Sequence, residues 1–171
     1  RSLLKAIDVA LKESELRGKD SSGLTLICSE ALIVKDNVPL RKLYKDHNIE
    51  FYIKKCIDRN ETFVLFGHSR LSTNGSSFLP KNNQPVIESD FVLVHNGIIV
   101  NAAEIVSKKR LALKTDLDTG VIPWLLKEYG NLDNHEAVRE CKREISGTCS
   151  CIAWDRSKSR LIAFSNNRSL Y

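Results

Sequence analysis

Methionine is absent from all 171 residues, where ordinary usage predicts roughly three or four. The first residue, Arg1, is no translation start. Either the sequence begins inside a longer protein, or methionine positions are missing from it and some neighbours are not true neighbours. Long apolar runs are lacking too: "FVLF" and "VIPWLL" fall far short of the roughly 20 residues of a membrane-spanning helix, so no membrane partner is expected. No charged-then-apolar leader opens the chain. An even cysteine framework is also missing, since Cys28, Cys56, Cys141, Cys149 and Cys151 are odd in number and irregular in spacing. Free thiols in a reducing cytoplasm are the expectation. No repeat, linker or low-complexity stretch divides residues 1–171, which predicts one domain.

What is present is globular. A hydrophobic share of 42% beside 27% charged residues allows a sizeable core in a soluble chain. The net charge of +5 raises the question of nucleic acid, but the bases of "RKLYKDHNIEFYIKK" and "SKKR" are interspersed with acids along the chain. That pattern is a solvated face, and no nucleic-acid partner is expected.

Apolar residues at Leu3, Leu4, Ile7, Val9, Ala10 and Leu11 recur near a 3.6 period, predicting a first helix of about 13 residues that ends by Gly18. "GLTLICSE" and "ALIVKD" read as a strand and its hairpin mate. Residues 40–60 read as helical with a break near Asn48. Strands "TFVLFGHSR" and "DFVLVHNG" follow, separated by the loop "STNGSSFLPKNNQP". Then come helices in "NAAEIVSKK", "DTGVIPWLLKEYG" and "NHEAVRECKREI", and a closing strand pair, "GTCSCIAWD" and "RLIAFSNN". Helices at both ends of runs of strands, without regular alternation, predict an α+β architecture with a mainly antiparallel sheet.

Two of the strand-like runs empty into polar clusters. Arg70, hemmed by Ser69, Ser72, Thr73 and Asn74, carries a planar fork suited to a carboxylate, or it is a rim arginine paired with a surface acid. Asn96 and Gly97 offer a side-chain amide and a main-chain N–H for a developing oxyanion, or else a type I′ turn. Asp118, ahead of an apolar helical run, is an N-cap or a ligand for an ammonium, with Asp116 competing for either role. "LRGKDSSGL" reads as a structural connection in which Asp20 caps Ser22 or pairs with Arg17. His68 and His95 have no carboxylate or thiol spaced to complete a metal set and read as buried, hydrogen-bonded residues. Cys149 and Cys151 share one strand face and read as core. No metal and no cofactor is expected.

Taken in order, "RGKDSSG", "GHSRLSTNG", "NNQPV", "HNGIIVNAAEI" and "DTGVI" resemble the motifs of the class II glutamine amidotransferase domain. Five matches at compatible spacing are far more specific than any one. "HNGIIVN" leans towards the glucosamine-6-phosphate synthase branch, and "GSS" followed by "NNQP" towards the amidophosphoribosyltransferase branch. The resemblance implies an N-terminal nucleophile hydrolase fold, a four-layer αββα sandwich of two mainly antiparallel sheets. It also implies roles by position. Arg70 holds the α-carboxylate of L-glutamine, Asp118 its α-ammonium, and Thr73 and Asn74 line the substrate. Asn96 with the Gly97 N–H stabilises the oxyanion, and Arg17 sits by the nucleophile pocket.

In that family the nucleophile is an N-terminal Cys whose own α-amine serves as base. A terminal amine with a pKa of about 7.7–8.0 is partly neutral at pH 7 and within reach of its own thiol. The Cys-Gly strand that carries it has no counterpart ahead of the first helix, and the earliest cysteine, Cys28, lies in another strand. Leu71 stands where the family has an aromatic, and Gly120 where it has a Glu. The expected function is a glutaminase domain that passes ammonia to an acceptor domain or subunit, with a sugar phosphate as acceptor and a homo-oligomer as a further expectation. A catalytically inactive glutamine-binding or assembly module is the alternative, and a basic nucleic-acid-binding domain a weaker third.

Overall fold

The computed structural model describes residues 2–71, 80–131 and 133–166. It falls into two compact units, residues 1–85 and 86–171, each with its own sheet and core. Among the described residues both sheets are antiparallel and six helices accompany them, so the α+β class expected from the sequence is observed.

In the first unit, α1 (Ser2–Ser14) is followed by a single 3-10 turn, Glu15–Arg17, and by β1 (Ser21–Ile27) and β2 (Ala31–Asp36). Helices α2 (Leu40–Asp46) and α3 (Ile49–Asp58) come next, then β3 (Val64–Arg70). The sheet order is β2-β1-β3, and β1, the central strand, is buried along its whole length. Leu24 and Leu26 on one face of β1 join Leu11 of α1, Leu40 and Leu43 of α2, and Ile49 and Ile53 of α3 in one apolar cluster. Each such leucine contributes about 1.5–3 kcal/mol by leaving water. The predicted break between α2 and α3 is Asn48, at φ +52°, a left-handed conformation that asparagine tolerates better than most residues.

The second unit begins with β4 (Val86–Glu88), β5 (Phe91–Ile99) and α4 (Ala102–Lys109). A 3-10 turn, Asp118–Gly120, leads into α5 (Val121–Glu128), and α6 (Asn134–Glu144), β6 (Gly147–Asp155) and β7 (Arg160–Ser165) complete it. The strand order is β4-β5-β6-β7. Leu93, Cys149, Cys151 and Ala153 from the sheet meet Val121, Ile122 and Leu125 of α5 and Cys141 of α6, which confirms Cys149 and Cys151 as core. Asp133 caps α6 by accepting the Glu136 N–H at 2.9 Å.

Strand β4 was not anticipated. "VIE" is too short to display alternation, and it is recruited by pairing with Phe91–Leu93 across a turn that includes Ser89 at φ +53°. Its Glu88 side chain is buried and accepts the Lys114 N–H at 2.9 Å. β1 starts two residues earlier than its hydrophobic pattern predicts and stops before Cys28, whose N–H turns to the Glu30 carbonyl at 3.0 Å. Among the described residues no helix is long and apolar enough to cross a membrane.

Candidate functional site

Arg70 ends β3 and is buried, 7% exposed as a residue. One terminal nitrogen donates to the Asn82 carbonyl at 2.7 Å and lies 3.4 Å from Asn83 Oδ1. Arg70 is thus buried and not at an exposed rim, with one guanidinium nitrogen held by the "NNQP" segment. That segment is itself fixed from β2, where the Lys35 ammonium donates to the Asn83 and Pro85 carbonyls at 2.9 and 3.1 Å. Asn83 Nδ2 in turn donates to Asn37 Oδ1 at 2.8 Å. Burial lowers the Lys35 pKa below the ordinary lysine value, because an ammonium withdrawn from water loses hydration.

The "RGKD" connection packs on the backbone of the same arginine. The Asp20 N–H donates to the Arg70 carbonyl at 3.1 Å. A Cβ at Gly18 would stand 2.2 Å from the Leu71 nitrogen and 2.3 Å from the Arg70 carbonyl carbon. Only glycine allows this approach. Arg17, one residue earlier, is exposed at the end of its 3-10 turn, so the first unit brings the Arg17 loop to the Arg70 end of β3.

In the second unit, Asn96 and Gly97 lie within β5, opposite Ser150 and Cys149 of β6. The type I′ turn that their sequence permits is not formed. Instead the strand runs on through Gly97 at φ +148°, where a Cβ would stand 2.0 Å from the Thr148 carbonyl oxygen. Beyond it the main-chain donors turn to side chains: the Ile98 N–H donates to Thr148 Oγ1 at 3.1 Å, and the Ile99 N–H to Asp118 Oδ2 at 2.7 Å. Asn96 is exposed and Gly97 half-buried, so this stretch is accessible to a small molecule.

Asp118 opens the 3-10 turn into α5, and its other oxygen accepts the Thr119 N–H at 2.8 Å. It therefore both starts the turn and clamps the end of β5, which carries Asn96 and Gly97. Its sequence competitor Asp116 is exposed. His95 is buried beneath the same stretch, Nε2 at 3.3 Å from the Thr148 carbonyl and Nδ1 at 3.1 Å from Thr119 Oγ1. A carbonyl only accepts, so Nε2 carries the proton, and the Thr119 hydroxyl donates to Nδ1. Burial lowers the His95 pKa below the ordinary histidine value, against the opposing pull of the Asp118 charge and the Thr148 carbonyl. This matches the reading of His95 as a buried, hydrogen-bonded residue.

Asn96, Gly97 and Asp118 are therefore brought together in the second unit, and Arg70 and the Arg17 loop in the first. Thr73 and Asn74 lie outside the described residues. Sequence reasoning passed over Lys35, Thr119, Thr148 and Ile99, which hold the site residues in place. No local pattern marks them, because each acts through a partner distant in sequence. Burial, reinforced by the Asp118 charge, pushes Cys149 up to about 12, and burial pushes Cys56 up to about 11, the opposite of the lowering that activates a thiol nucleophile.

Residues 68–170 match the family model described as "Glutamine amidotransferase domain". The chain is 27% identical, over 93% of its length, to glutamine–fructose-6-phosphate aminotransferase (isomerizing) of Bacillus spizizenii, covering 26% of that protein. It is 29% identical, over 94% of its length, to 7-cyano-7-deazaguanine synthase of Saccharolobus solfataricus, covering 34%. The chain thus spans about a quarter to a third of the length of these relatives. Among solved structures, glutamine phosphoribosylpyrophosphate amidotransferase from B. subtilis, complexed with ADP and GMP, superposes with a TM-score of 0.67 at 18% identity. That likeness covers 91% of this chain and 33% of the other, and it shows a shared fold.

Proposed function

The chain belongs to the glutamine amidotransferase domain family, and from that premise we propose that residues 1–171 form one glutaminase domain, releasing ammonia from L-glutamine for transfer to an acceptor. The observation that carries the reading is the Asp118 carboxylate pinned to the strand that bears Asn96 and Gly97. It sets a fixed negative charge near two potential oxyanion donors. In this reading Arg70 takes the glutamine α-carboxylate in its fork, and Asp118 the α-ammonium. Thr73 and Asn74 line the amino acid, and Arg17 stands by the nucleophile.

A thiolate attacks the side-chain amide carbon, and the carbonyl oxygen becomes an oxyanion. The Asn96 amide and the Gly97 N–H donate to it, each such donor contributing a few kcal/mol in the transition state. The proton that the base took from the thiol passes to the amide nitrogen, collapse then breaks the carbon–nitrogen bond and expels ammonia, and water releases glutamate from the thioester. The resemblance assigns the thiolate to an N-terminal Cys with its own amine as base, a description that fits none of Cys28, Cys56, Cys141, Cys149 and Cys151.

The acceptor in this proposal is a phosphorylated sugar, because fructose-6-phosphate and phosphoribosyl pyrophosphate stand in the names of similar proteins. An acceptor domain or subunit and a cytoplasmic location complete it. Two measurements on the encoded protein test it: glutamate release from glutamine, and mass spectrometry of the mature N-terminus. A free N-terminal Cys with glutamate release is the expected result. Glutamine binding without that Cys and without release would instead establish the inactive glutamine-binding module.

A further inference from the structure

At the end of the first unit's sheet remote from Arg70, three side chains of metal-ligating type converge. Cys28 follows β1 where Ile27 pairs with Val64, while Arg70 pairs with Ser21 at the other end of that strand. Six residues of strand, roughly 20 Å, separate the two places. The Cys28 sulfur, the Cys56 sulfur and a Glu61 carboxylate oxygen all lie within 4.8 Å of one another. In a tetrahedral zinc site with metal–sulfur bonds of about 2.3 Å, two sulfurs stand about 3.8 Å apart. A contraction of at most about 1 Å between the sulfurs, and about 1.3 Å between each sulfur and the oxygen, therefore closes the three around one ion.

The backbone brings them together by three separate devices. Cys28 sits in a tight turn, its N–H donating to the Glu30 carbonyl at 3.0 Å. Cys56 lies on the last turn of α3 with its side chain buried. The Glu61 N–H donates to the Cys56 carbonyl at 2.9 Å, which folds the chain after α3 back towards that thiol. Glu61 is oriented in turn by Ser29, whose hydroxyl donates to Oε2 at 2.9 Å, the kind of supporting bond that fixes a ligating carboxylate. Arg59 stands 3.9 Å from Glu61 Oε1. Two thiolates and a carboxylate outweigh a divalent ion by one negative charge, and the guanidinium offsets it. Cys28 and Glu61 are only partly buried, which leaves an entry path and a fourth position for water.

We propose that Cys28, Cys56 and Glu61 form a binding site for a thiophilic divalent cation of the zinc class. Thiolate donors favour such ions over magnesium or calcium. On binding, both S–H bonds break, the two protons pass to solvent, and two sulfur–metal bonds form without any change of oxidation state. The ion ties the end of β1 to α3 and to the loop behind it, independently of the glutamine site.

The test uses the full chain under reductant, loaded with Zn(II) or Co(II), freed of excess ion and assayed for metal content. About one ion per chain is expected, with a thiolate-to-cobalt charge-transfer band for Co(II). Cys28→Ser and Cys56→Ser should abolish both signals, and Glu61→Gln should weaken binding at least tenfold. Cys141→Ala, in the other unit, should leave them unchanged. Should the serine variants misfold, the unaltered chain still decides the matter: Zn(II) should slow alkylation of Cys28, mapped by peptide mass spectrometry, at least tenfold. Substoichiometric metal, no charge-transfer band, or an unprotected Cys28 would overturn the proposal. A Cys28–Cys56 disulfide without metal uptake by the reduced chain would do the same.

Discussion

The Asp118 carboxylate accepts the main-chain N–H of Ile99 at 2.7 Å, joining the turn before α5 to the end of β5 across nineteen residues of sequence. This one bond gives Asp118 a structural duty in addition to its proposed ligand duty, and substitutions can separate the two. Asp118→Ala leaves the Ile99 donor without that acceptor and should cost about 1–3 kcal/mol of stability. Asp118→Asn keeps an oxygen there and should cost less, yet both should weaken glutamine binding at least about tenfold by removing the charge that faces an ammonium. Urea unfolding and titration calorimetry check the pair; full glutamine affinity in Asp118→Asn would end the ligand assignment.

Arg70 carries a similar double load, since its guanidinium holds the Asn82 carbonyl at 2.7 Å. Arg70→Ala strips a buried carbonyl of a charged donor and should destabilise by about 1–3 kcal/mol as well as abolish glutamine binding. Arg70→Lys supplies a single ammonium in place of the fork, and should recover much of the stability without restoring affinity. Equal affinity in the lysine variant and the parent chain would argue against bidentate recognition.

Asn96 and Gly97 should respond in opposite ways. Asn96 is exposed, so Asn96→Ala should leave thermal stability nearly unchanged while lowering kcat by about 10²–10³-fold, the usual effect of removing one oxyanion donor. Gly97→Ala forces a Cβ to 2.0 Å from the Thr148 oxygen at a φ of +148°, and should destabilise the second unit by roughly 3 kcal/mol or more. Differential scanning calorimetry beside a glutamate-release assay distinguishes the two. A stable but inactive Gly97→Ala would mean that the strand can shift to admit the methyl group.

His95 predicts a pH dependence. Its pKa is lowered from 6.5 in the folded chain, chiefly by burial. Below pH 6.5 the unfolded chain therefore binds a proton that the folded chain refuses, and stability falls as pH decreases through that window towards the folded value. The contribution is fully present above pH 6.5. Unfolding midpoints measured between pH 8 and 5 should show this decline, and His95→Gln should flatten it. An unchanged slope in the variant would assign the decline to other groups.

Much of the fold was legible because its signals are local. The 3.6-residue period of α1 needs only the residues between Ser2 and Ser14, and "ALIVKD", read as the hairpin mate of the preceding strand, is β2 as observed, Ala31–Asp36. β4 was not legible, because three residues hold no period and it is a strand only by virtue of pairing with β5. The candidate site divides in the same way. Arg70, Asn96, Gly97 and Asp118 could be picked out as residue types at strand ends and a helix start. Two of their local readings, the rim arginine and the Asn-Gly turn, gave way to partners that no neighbouring residue reveals: Asn82 for Arg70, and Thr148 and Cys149 for Gly97.

By itself the amino-acid order determined the chemistry on offer: an α+β chain with five thiols, a guanidinium, a carboxylate and potential oxyanion donors, and motif spacing that resembles one family. Tertiary structure decided which groups are held and by what. It buried Arg70 under a loop fastened by Lys35, pressed Gly97 of β5 against the Thr148 carbonyl, and tied Asp118 to that strand. It also gathered Cys28, Cys56 and Glu61 from a strand end, a helix and a loop. The physical reason is one of range: hydrophobic period and turn propensity act over a few residues, whereas a buried hydrogen bond or a ligand cluster takes its partners from wherever the chain returns.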